Sequence, residues 1–191
     1  MPEMRVIPTA LDGVMIIEPV VHADARGYFL ETFHARTYGA AGLPVEFVQD
    51  NESLSAQHVL RGLHLQLRRP QGKLVRVVRG EIWDVAVDVR PESPTFGQWV
   101  GETLSDRNWR QLYVPPGCAH GFCVMSEQAV VHYKCTAFYD RDDEVGIAYD
   151  DPALAIPWPI TQPVLSPKDL RNMPWADFVA MLASLRDSAR P

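Results

Sequence analysis

Short segments of alternating apolar and polar residues, separated by turns, are the feature that most limits the fold of this chain. In the segment 81–90, Trp83, Val85 and Val87 fall on one face of an extended strand. Asp84 and Asp88 fall on the other, so this period of two predicts a β-strand with one packed and one partly polar face. Further strands are predicted from β-branched runs at 5–7, 14–17, 59–67, 111–114 and 130–135.

Helical periodicity is convincing at 32–42, which ends at a glycine, and at 175–186. In the second segment Trp175, Phe178 and Leu182 lie on one stripe of a helix. Many short strands without β-α-β alternation predict an all-β fold, a sandwich or barrel of jelly-roll type with a few short flanking helices. The length of 191 residues suits one domain, which we expect to span 1–191.

The charge and cysteine content exclude several classes of protein. With 18 Lys and Arg against 24 Asp and Glu, the chain carries a net charge of −6, which disfavours a nucleic-acid-binding protein. No apolar run approaches the ~18 residues needed to cross a bilayer, so we expect no membrane span. The three cysteines, Cys118, Cys123 and Cys135, form no C-x-x-C pair, and their odd number favours reduced thiols in a cytoplasmic protein.

Basic residues are concentrated in one acid-free segment between Glu52 and Glu81. Its cations are Arg61, Arg68, Arg69, Lys73, Arg76 and Arg79. Arginine forks suit phosphate oxygens, so the segment is a candidate anion site. The alternative is a solvated strand edge that cations protect from further pairing.

One predicted strand carries both Arg61 and His64. The histidine is a candidate general base, a candidate metal ligand or a packing residue. Metal-binding β-barrels commonly use an H-x-H pair, and Gln66 occupies the second position here, which weakens the metal interpretation. Arg61 and His64 would point to opposite faces of a regular strand, and a bulge at Gly62 would let both face inward.

Four further side chains are candidates for chemistry, each with an ordinary structural alternative. Lys73, at a strand entry, suits stabilisation of an oxyanion or phosphate but can equally be solvated. His120 follows a rigid proline turn and can equally pack or cap. Tyr133 is expected to face inward with Val131, either as core or as a proton donor. Asp169 lies in a turn that can equally begin the last helix.

The candidate residues belong to a dense series of motifs: Asp24-x-Arg26-Gly27-x-Phe29-x-Glu31, Gln49-Asp50-Asn51-x-Ser53, Arg61-Gly62-Leu63-His64, Gln71-Gly72-Lys73, Ala119-His120-Gly121-Phe122, Tyr133-Lys134 and Leu165-Ser166-x-Lys168-Asp169. Taken together, these motifs resemble the dTDP-4-dehydrorhamnose 3,5-epimerase family over about residues 5–170. The resemblance implies a cupin-type jelly-roll barrel that needs neither metal nor cofactor. It also implies a homodimer whose N-terminal strands join the neighbour's sheet.

The resemblance further implies a reaction at C3 and C5 of a dTDP-linked 4-keto-6-deoxyhexose. His64 corresponds to the base, Asp169 to its partner and Tyr133 to the acid on the opposite face of the sugar. Lys73 corresponds to the group that stabilises charge on the C4 oxygen. Substrate-binding residues implied in the same way are Arg26, Phe29, Glu31, Gln49, Asp50, Asn51, Arg61, Lys73, His120, Tyr139, Glu144 and Lys168.

Three alternatives remain at this point. A relative that epimerises C3 or C5 alone, on a secondary-metabolite sugar, would use the same residues. A non-catalytic sugar-nucleotide-binding cupin would keep Arg61 but would not need the pair of His64 and Tyr133. A metal-dependent cupin oxygenase would lose activity in excess chelator.

Overall fold

The structure is a computed structural model that describes residues 3–188. Over these residues it contains thirteen strands, two α-helices and one short 3-10 helix at Asp169–Arg171. The strands are β1 Arg5–Pro8, β2 Met15–Glu18, β3 Val21–Asp24, β4 Gly27–Leu30, β5 Gln49–Ala56, β6 Leu60–Gln66, β7 Lys73–Arg79, β8 Glu81–Asp88, β9 Trp99–Ser105, β10 Gln111–Val114, β11 Cys118–Val124, β12 Gln128–Cys135 and β13 Glu144–Gly146. The helices are α1 Ala35–Ala40 and α2 Trp175–Ser188.

A six-stranded and a five-stranded antiparallel sheet face each other and form the barrel. The six-stranded sheet has the order β1-β2-β10-β7-β12-β5, and the five-stranded sheet has the order β13-β6-β11-β8-β9. Between them lies a core to which Val75 and Leu112 contribute from one sheet and Ile82 and Phe122 from the other. The predicted all-β, cupin-type jelly roll is therefore confirmed.

Strand β8 is buried on both faces. Ala86 packs into the barrel core, while Val85 and Val87 pack outward against Phe178 of α2. The outer face is covered because α2 lays its apolar stripe on the five-stranded sheet, as the sequence pattern suggested. The partly polar face turns into the barrel instead of toward solvent, so Asp84 is completely buried.

Helix α1 is shorter than the predicted 32–42 because its first turn begins at a cap. The His34 ring accepts hydrogen bonds from the backbone amides of Arg36 and Thr37, at 3.2 and 3.4 Å from Nδ1. This satisfies two amides that have no partner within the helix. None of the helices among residues 3–188 combines the length and apolar character that crossing a bilayer requires.

The bulge predicted at Gly62 is present. His64 of β6 pairs with His120 of β11, but Arg61 pairs with Phe122, so two residues of β6 lie opposite Gly121. Gly62 has a φ of 124°, and a Cβ there would lie 2.5 Å from the Cα of Gly121. Only glycine therefore allows this close approach, and the extra residue turns Arg61 and His64 to the same side of the sheet.

Candidate active site

A cavity of about 370 Å³ opens between the two sheets. Strands of both sheets and the loops after β12 and β13 supply its wall, which includes all four predicted catalytic residues. The lining residues are Gln49, Asn51, Ser53, Arg61, His64, Gln71, Lys73, His120, Phe122, Tyr133, Tyr139, Glu144, Ser166, Lys168 and Asp169.

His64 and Asp169 form a short hydrogen bond at the wall of this cavity. The ring Nε2 lies 2.6 Å from Asp169 Oδ1, and Asp169 Oδ2 accepts a 2.7 Å bond from the Ser166 hydroxyl. Burial alone would raise the pKa of Asp169, but the bonds from His64 and Ser166 outweigh it and hold that pKa below its usual value. Asp169 is therefore an ionised acceptor near neutral pH. The sequence offered Ser166 as part of a turn, without a role in the site.

A second carboxylate stands on the other side of the imidazole. Glu144 Oε1 lies 3.8 Å from His64 Nδ1. Glu144 Oε2 accepts a 2.8 Å hydrogen bond from the Tyr139 hydroxyl and forms an ion pair with Lys168. The predicted binding residues Tyr139, Glu144 and Lys168 thus form one connected group beside the histidine.

The deepest part of the site contains a second histidine–aspartate pair. His120 Nε2 lies 2.7 Å from Oδ1 of Asp84, and Asp84 Oδ2 has no hydrogen-bond partner among the described residues. Asp84 was absent from the predicted site, although an acid in the middle of a strand flanked by apolar residues was a usable signal. Burial lowers the pKa of the nearby Lys73 ammonium, and the negative charge of Asp84 partly offsets this effect.

Tyr133 lies across the cavity from His64. It belongs to β12 of the six-stranded sheet, whereas His64 belongs to β6 of the five-stranded sheet. Burial raises the pKa of the Tyr133 phenol above its ordinary value, and Arg61 opposes that shift in part. The phenol is accordingly protonated near neutral pH and can donate a proton.

Gln49, Asn51 and Arg61 all line the cavity. Gln49 Nε2 donates to Asn51 Oδ1 at 2.9 Å, and its Oε1 accepts from the backbone amide of Tyr139 at 2.8 Å. The Arg61 side chain donates from Nε to the Ser55 hydroxyl at 3.0 Å. The acid-free segment therefore supplies a cavity-facing guanidinium, as the anion-site interpretation requires.

Four predicted binding residues lie outside the cavity wall. Asp50 points to the opposite face of β5 from its neighbours, and its carboxylate pairs with Lys134 at 2.8 Å. Arg26 and Phe29 belong to the hairpin of β3 and β4, where Arg26 pairs with Asp24 and Phe29 is 69% exposed. Glu31 follows that hairpin and is also exposed.

Gln66 serves the backbone instead of a ligand. Its side-chain amide donates to the carbonyls of Arg69 and Phe138 at 2.8 and 3.2 Å, and its oxygen accepts from the Asp140 amide at 2.9 Å. Within residues 3–188, no group of three or more His, Cys, Asp or Glu side chains is arranged to hold a metal ion.

Comparison with known proteins agrees with this geometry. The family model described as dTDP-4-dehydrorhamnose 3,5-epimerase matches residues 8–177. The chain belongs to that family. The matched region covers nearly the whole barrel and every cavity-lining residue named above.

Relatives in the epimerase family are similar to this chain at high identity. The dTDP-4-dehydrorhamnose 3,5-epimerase of Methanothermobacter thermautotrophicus is 55% identical over 160 residues, covering 84% of this chain and 86% of the relative. The one from Shigella flexneri is 51% identical over 176 residues, covering 91% and 97%. A crystal structure of dTDP-6-deoxy-D-glucose-3,5-epimerase from Legionella pneumophila, in complex with dTDP-4-keto-L-rhamnose, has a TM-score of 0.87 and 51% identity, covering 90% of this chain and 92% of that chain.

Proposed function

We propose that this protein epimerises dTDP-4-dehydro-6-deoxy-D-glucose at C3 and C5, giving dTDP-4-dehydro-L-rhamnose. One observation carries the proposal: a carboxylate-paired histidine and a protonated tyrosine, from facing sheets, line one cavity of about 370 Å³. Inversion at carbon needs a base on one side of the sugar ring and an acid on the other. The 4-keto group makes protons at both neighbouring carbons acidic, so one arrangement can serve C3 and C5 in turn.

His64 is the proposed base. When its Nε2 donates to Asp169, the lone pair of Nδ1 is free to take a proton from carbon. The resulting imidazolium lies between two carboxylates, because Glu144 is 3.8 Å from Nδ1. Asp169 therefore fixes the ring orientation and offsets the charge that develops on the ring.

Loss of that proton gives an enolate with its charge on the C4 oxygen. Lys73 is the proposed donor to this oxygen, and His120 is proposed to contact the sugar beside it. The support is that both side chains line the cavity, where His120 bonds to Asp84 and Lys73 lies within range of the Asp84 charge.

Tyr133 is the proposed acid that returns a proton to carbon from the other side. Its position on the sheet facing that of His64, in the wall of the same cavity, supports this role. Each inversion leaves His64 with one extra proton and Tyr133 with one fewer, and exchange with solvent restores both groups before the next carbon reacts. The oxidation state of the sugar does not change in these steps.

Binding of the nucleotide is assigned to the polar end of the cavity. Arg61 is proposed to bind the diphosphate, with Gln49 and Asn51 beside it, and Tyr139 to stack on thymine. Glu144 and Lys168 are proposed to complete the contacts to the substrate. The guanidinium of Arg61 suits two phosphate oxygens at once, which supports this assignment.

Turnover in deuterium oxide tests the reaction directly. We expect deuterium at both C3 and C5 of the product, because each carbon loses one proton and receives another from groups that exchange with solvent. Label at one carbon only would identify the protein as a mono-epimerase, which uses the same residues. A reductase that accepts only the L-configured product gives an independent readout of the double inversion.

Two further measurements separate the remaining alternatives. Tyr133→Phe should reduce turnover by about two orders of magnitude while dTDP still binds. Unchanged turnover would remove the proposed acid, and complete absence of turnover in the natural protein would favour a non-catalytic binding cupin. Activity that disappears in excess chelator, with metal found by elemental analysis, would favour a metal-dependent oxygenase.

We also propose a cytoplasmic homodimer in which the hairpin of β3 and β4 binds substrate in the partner's cavity. Arg26 and Phe29 are exposed on this hairpin, outside the cavity of their own chain, which supports the arrangement. The cytoplasmic location is supported by Cys118, Cys123 and Cys135, which are all buried free thiols.

Mixing two inactive variants tests the shared site. Arg26→Ala and His64→Ala should each be weakly active alone, but subunit exchange should restore about a quarter of natural activity. Half of the dimers then carry one chain of each kind, and one of their two sites is intact. No restoration in a mixture shown to have exchanged subunits would mean that the hairpin acts on its own chain or not at all.

A further inference from the structure

The inward face of β5 carries four polar side chains in a row, at alternate positions of the strand. Because alternate residues of a strand point to the same side, Gln49, Asn51, Ser53 and Ser55 all face the interior of the barrel. Three of these four residues line the substrate cavity. Such a row inside a barrel must find hydrogen-bond partners to offset its burial.

Three of the four residues have found partners within the protein. Gln49 and Asn51 bond to each other, and Asn51 Nδ2 also lies 3.5 Å from the Cys135 sulfur. The Ser55 hydroxyl accepts the bond from Arg61 Nε at 3.0 Å. The Ser53 hydroxyl is shielded from solvent and has no hydrogen-bond partner among the described residues.

An unpartnered hydroxyl of this kind needs an explanation. Leaving a buried donor unsatisfied is unfavourable, so native proteins rarely retain one without a use. Ser53 lies in the strand between Asn51 and Ser55, and the latter holds the Arg61 guanidinium at the cavity. Rotation of the serine side chain among its staggered positions changes the direction in which the hydroxyl donates. The missing acceptor is therefore best supplied by an anion bound beside Arg61.

We infer that Ser53 donates a hydrogen bond to a diphosphate oxygen of the bound nucleotide, next to the oxygens bound by Arg61. This inference rests on the proposed function, because that function brings a diphosphate into the cavity. Ser55 has a different part: it orients Arg61 and makes no direct bond to the ligand. The two serines of one strand face thus divide into a binding residue and a positioning residue.

Calorimetric titration of Ser53→Ala with dTDP and with thymidine tests the inference. We expect the Kd for dTDP to rise about tenfold, since one hydrogen bond to a charged oxygen is lost. The Kd for thymidine should stay unchanged, because thymidine has no phosphate. Ser53→Cys keeps the shape of the side chain but has a poor donor, so it should resemble Ser53→Ala.

Ser55→Ala is the matched comparison on the same strand. Its effect on the Kd for dTDP should vanish in an Arg61→Ala background, whereas the effect of Ser53→Ala should persist there. Two double-mutant cycles, each pairing one serine with Arg61, therefore separate direct binding from positioning.

Several results would overturn the assignment of Ser53. These are an unchanged Kd for dTDP in Ser53→Ala, natural affinity in Ser53→Cys, or an equal loss of thymidine affinity. Reduced turnover with unchanged dTDP affinity would mean that the Ser53 hydroxyl acts with Tyr133 in the reaction and not in nucleotide binding. Failure of the natural protein to bind dTDP at all would reject the proposed function itself, and the inference with it.

Discussion

Two histidine–aspartate pairs lie side by side in this barrel, and they differ in their surroundings. His64 and His120 are direct partners across β6 and β11, and each ring donates toward one carboxylate at 2.6 or 2.7 Å. The His64 side chain is 21% exposed and faces Glu144 as well, whereas that of His120 is 8% exposed. Both oxygens of Asp169 have partners, but Asp84 has a partner for only one.

The difference separates two uses of the same chemical pair. The proposed base, His64, must exchange protons with substrate and solvent, and its partial exposure and the nearby carboxylates suit that role. The pair of His120 and Asp84 is more deeply buried, so it suits a fixed donor and a countercharge for Lys73. Position in the barrel, and not residue type, distinguishes the two pairs.

The largest expected effect comes from removing one histidine at a time. His64→Ala should reduce turnover by about three orders of magnitude, in line with loss of a general base. His120→Ala should reduce it by about one order, because Lys73, the proposed donor to the C4 oxygen, is retained. Initial rates at saturating substrate measure both, with dTDP affinity as the control. Equal losses in the two variants would contradict the division of roles.

Removing one aspartate at a time should have the larger effect on stability at the pair of His120 and Asp84, the reverse of the order expected for turnover. Asp84→Ala leaves His120 without its acceptor in a fully buried position, so the free energy of unfolding should fall by about 3 kcal/mol. Asp169→Ala should lower it by about 1 kcal/mol, because the His64 ring is partly exposed and water can replace the lost acceptor. Urea denaturation with matched m-values measures both changes. A larger loss for Asp169→Ala would show that the pair of His64 and Asp169 contributes more to stability.

Ser166→Ala sharpens the comparison at the catalytic pair. It removes the hydrogen bond to Asp169 Oδ2, so the pKa of Asp169 should rise, since burial is then opposed by fewer bonds. Turnover should fall about tenfold, and the acidic limb of the pH–rate profile should move to higher pH. An unchanged profile would mean that Ser166 serves only to begin the 3-10 helix.

The smallest effect is expected at a buried aspartate outside both pairs. Asp88 accepts hydrogen bonds from Arg90, Ser93 and Thr95, which overcome the effect of burial and hold its pKa below the usual value. Its contribution to stability should be complete above pH 5 and decline as pH falls below about 4, where the unfolded chain takes up the proton.

Asp88→Asn should therefore lower the free energy of unfolding by about 1 kcal/mol at pH 7 and by less at pH 3. Thermal unfolding at the two pH values measures this, with turnover as the control. Changed turnover in a folded variant would tie Asp88 to the site.

The sequence predicted those parts of the site that depend on local pattern. The parity conflict between Arg61 and His64 predicted the bulge at Gly62, and the alternation around Tyr133 predicted its inward direction. The strands at 5–7, 14–17, 111–114 and 130–135 were found within a few residues of their predicted bounds. These features follow from the period of two and from the backbone freedom of glycine.

The parts that escaped prediction depend on contacts distant in sequence. Asp84 meets His120 only because β8 and β11 pair, 36 residues apart in the chain. Strands β9 and β13 lack a β-branched run, and the sheet imposes their conformation. The roles of the individual site residues came from the family resemblance, since single residues of these types occur in many ordinary packing positions.

Because of the bulge at Gly62, the proposed chemistry depends on the exact number of residues in β6. Deleting one residue of β6 at the bulge would make the strand regular, so residues on either side of it would change their facing relative to each other. Either the guanidinium or the imidazole would then be turned out of the cavity. A transplant of this catalytic machinery onto another β-scaffold must therefore carry the irregularity with it. On a regular strand, the same side chains would place only one of Arg61 and His64 in the cavity.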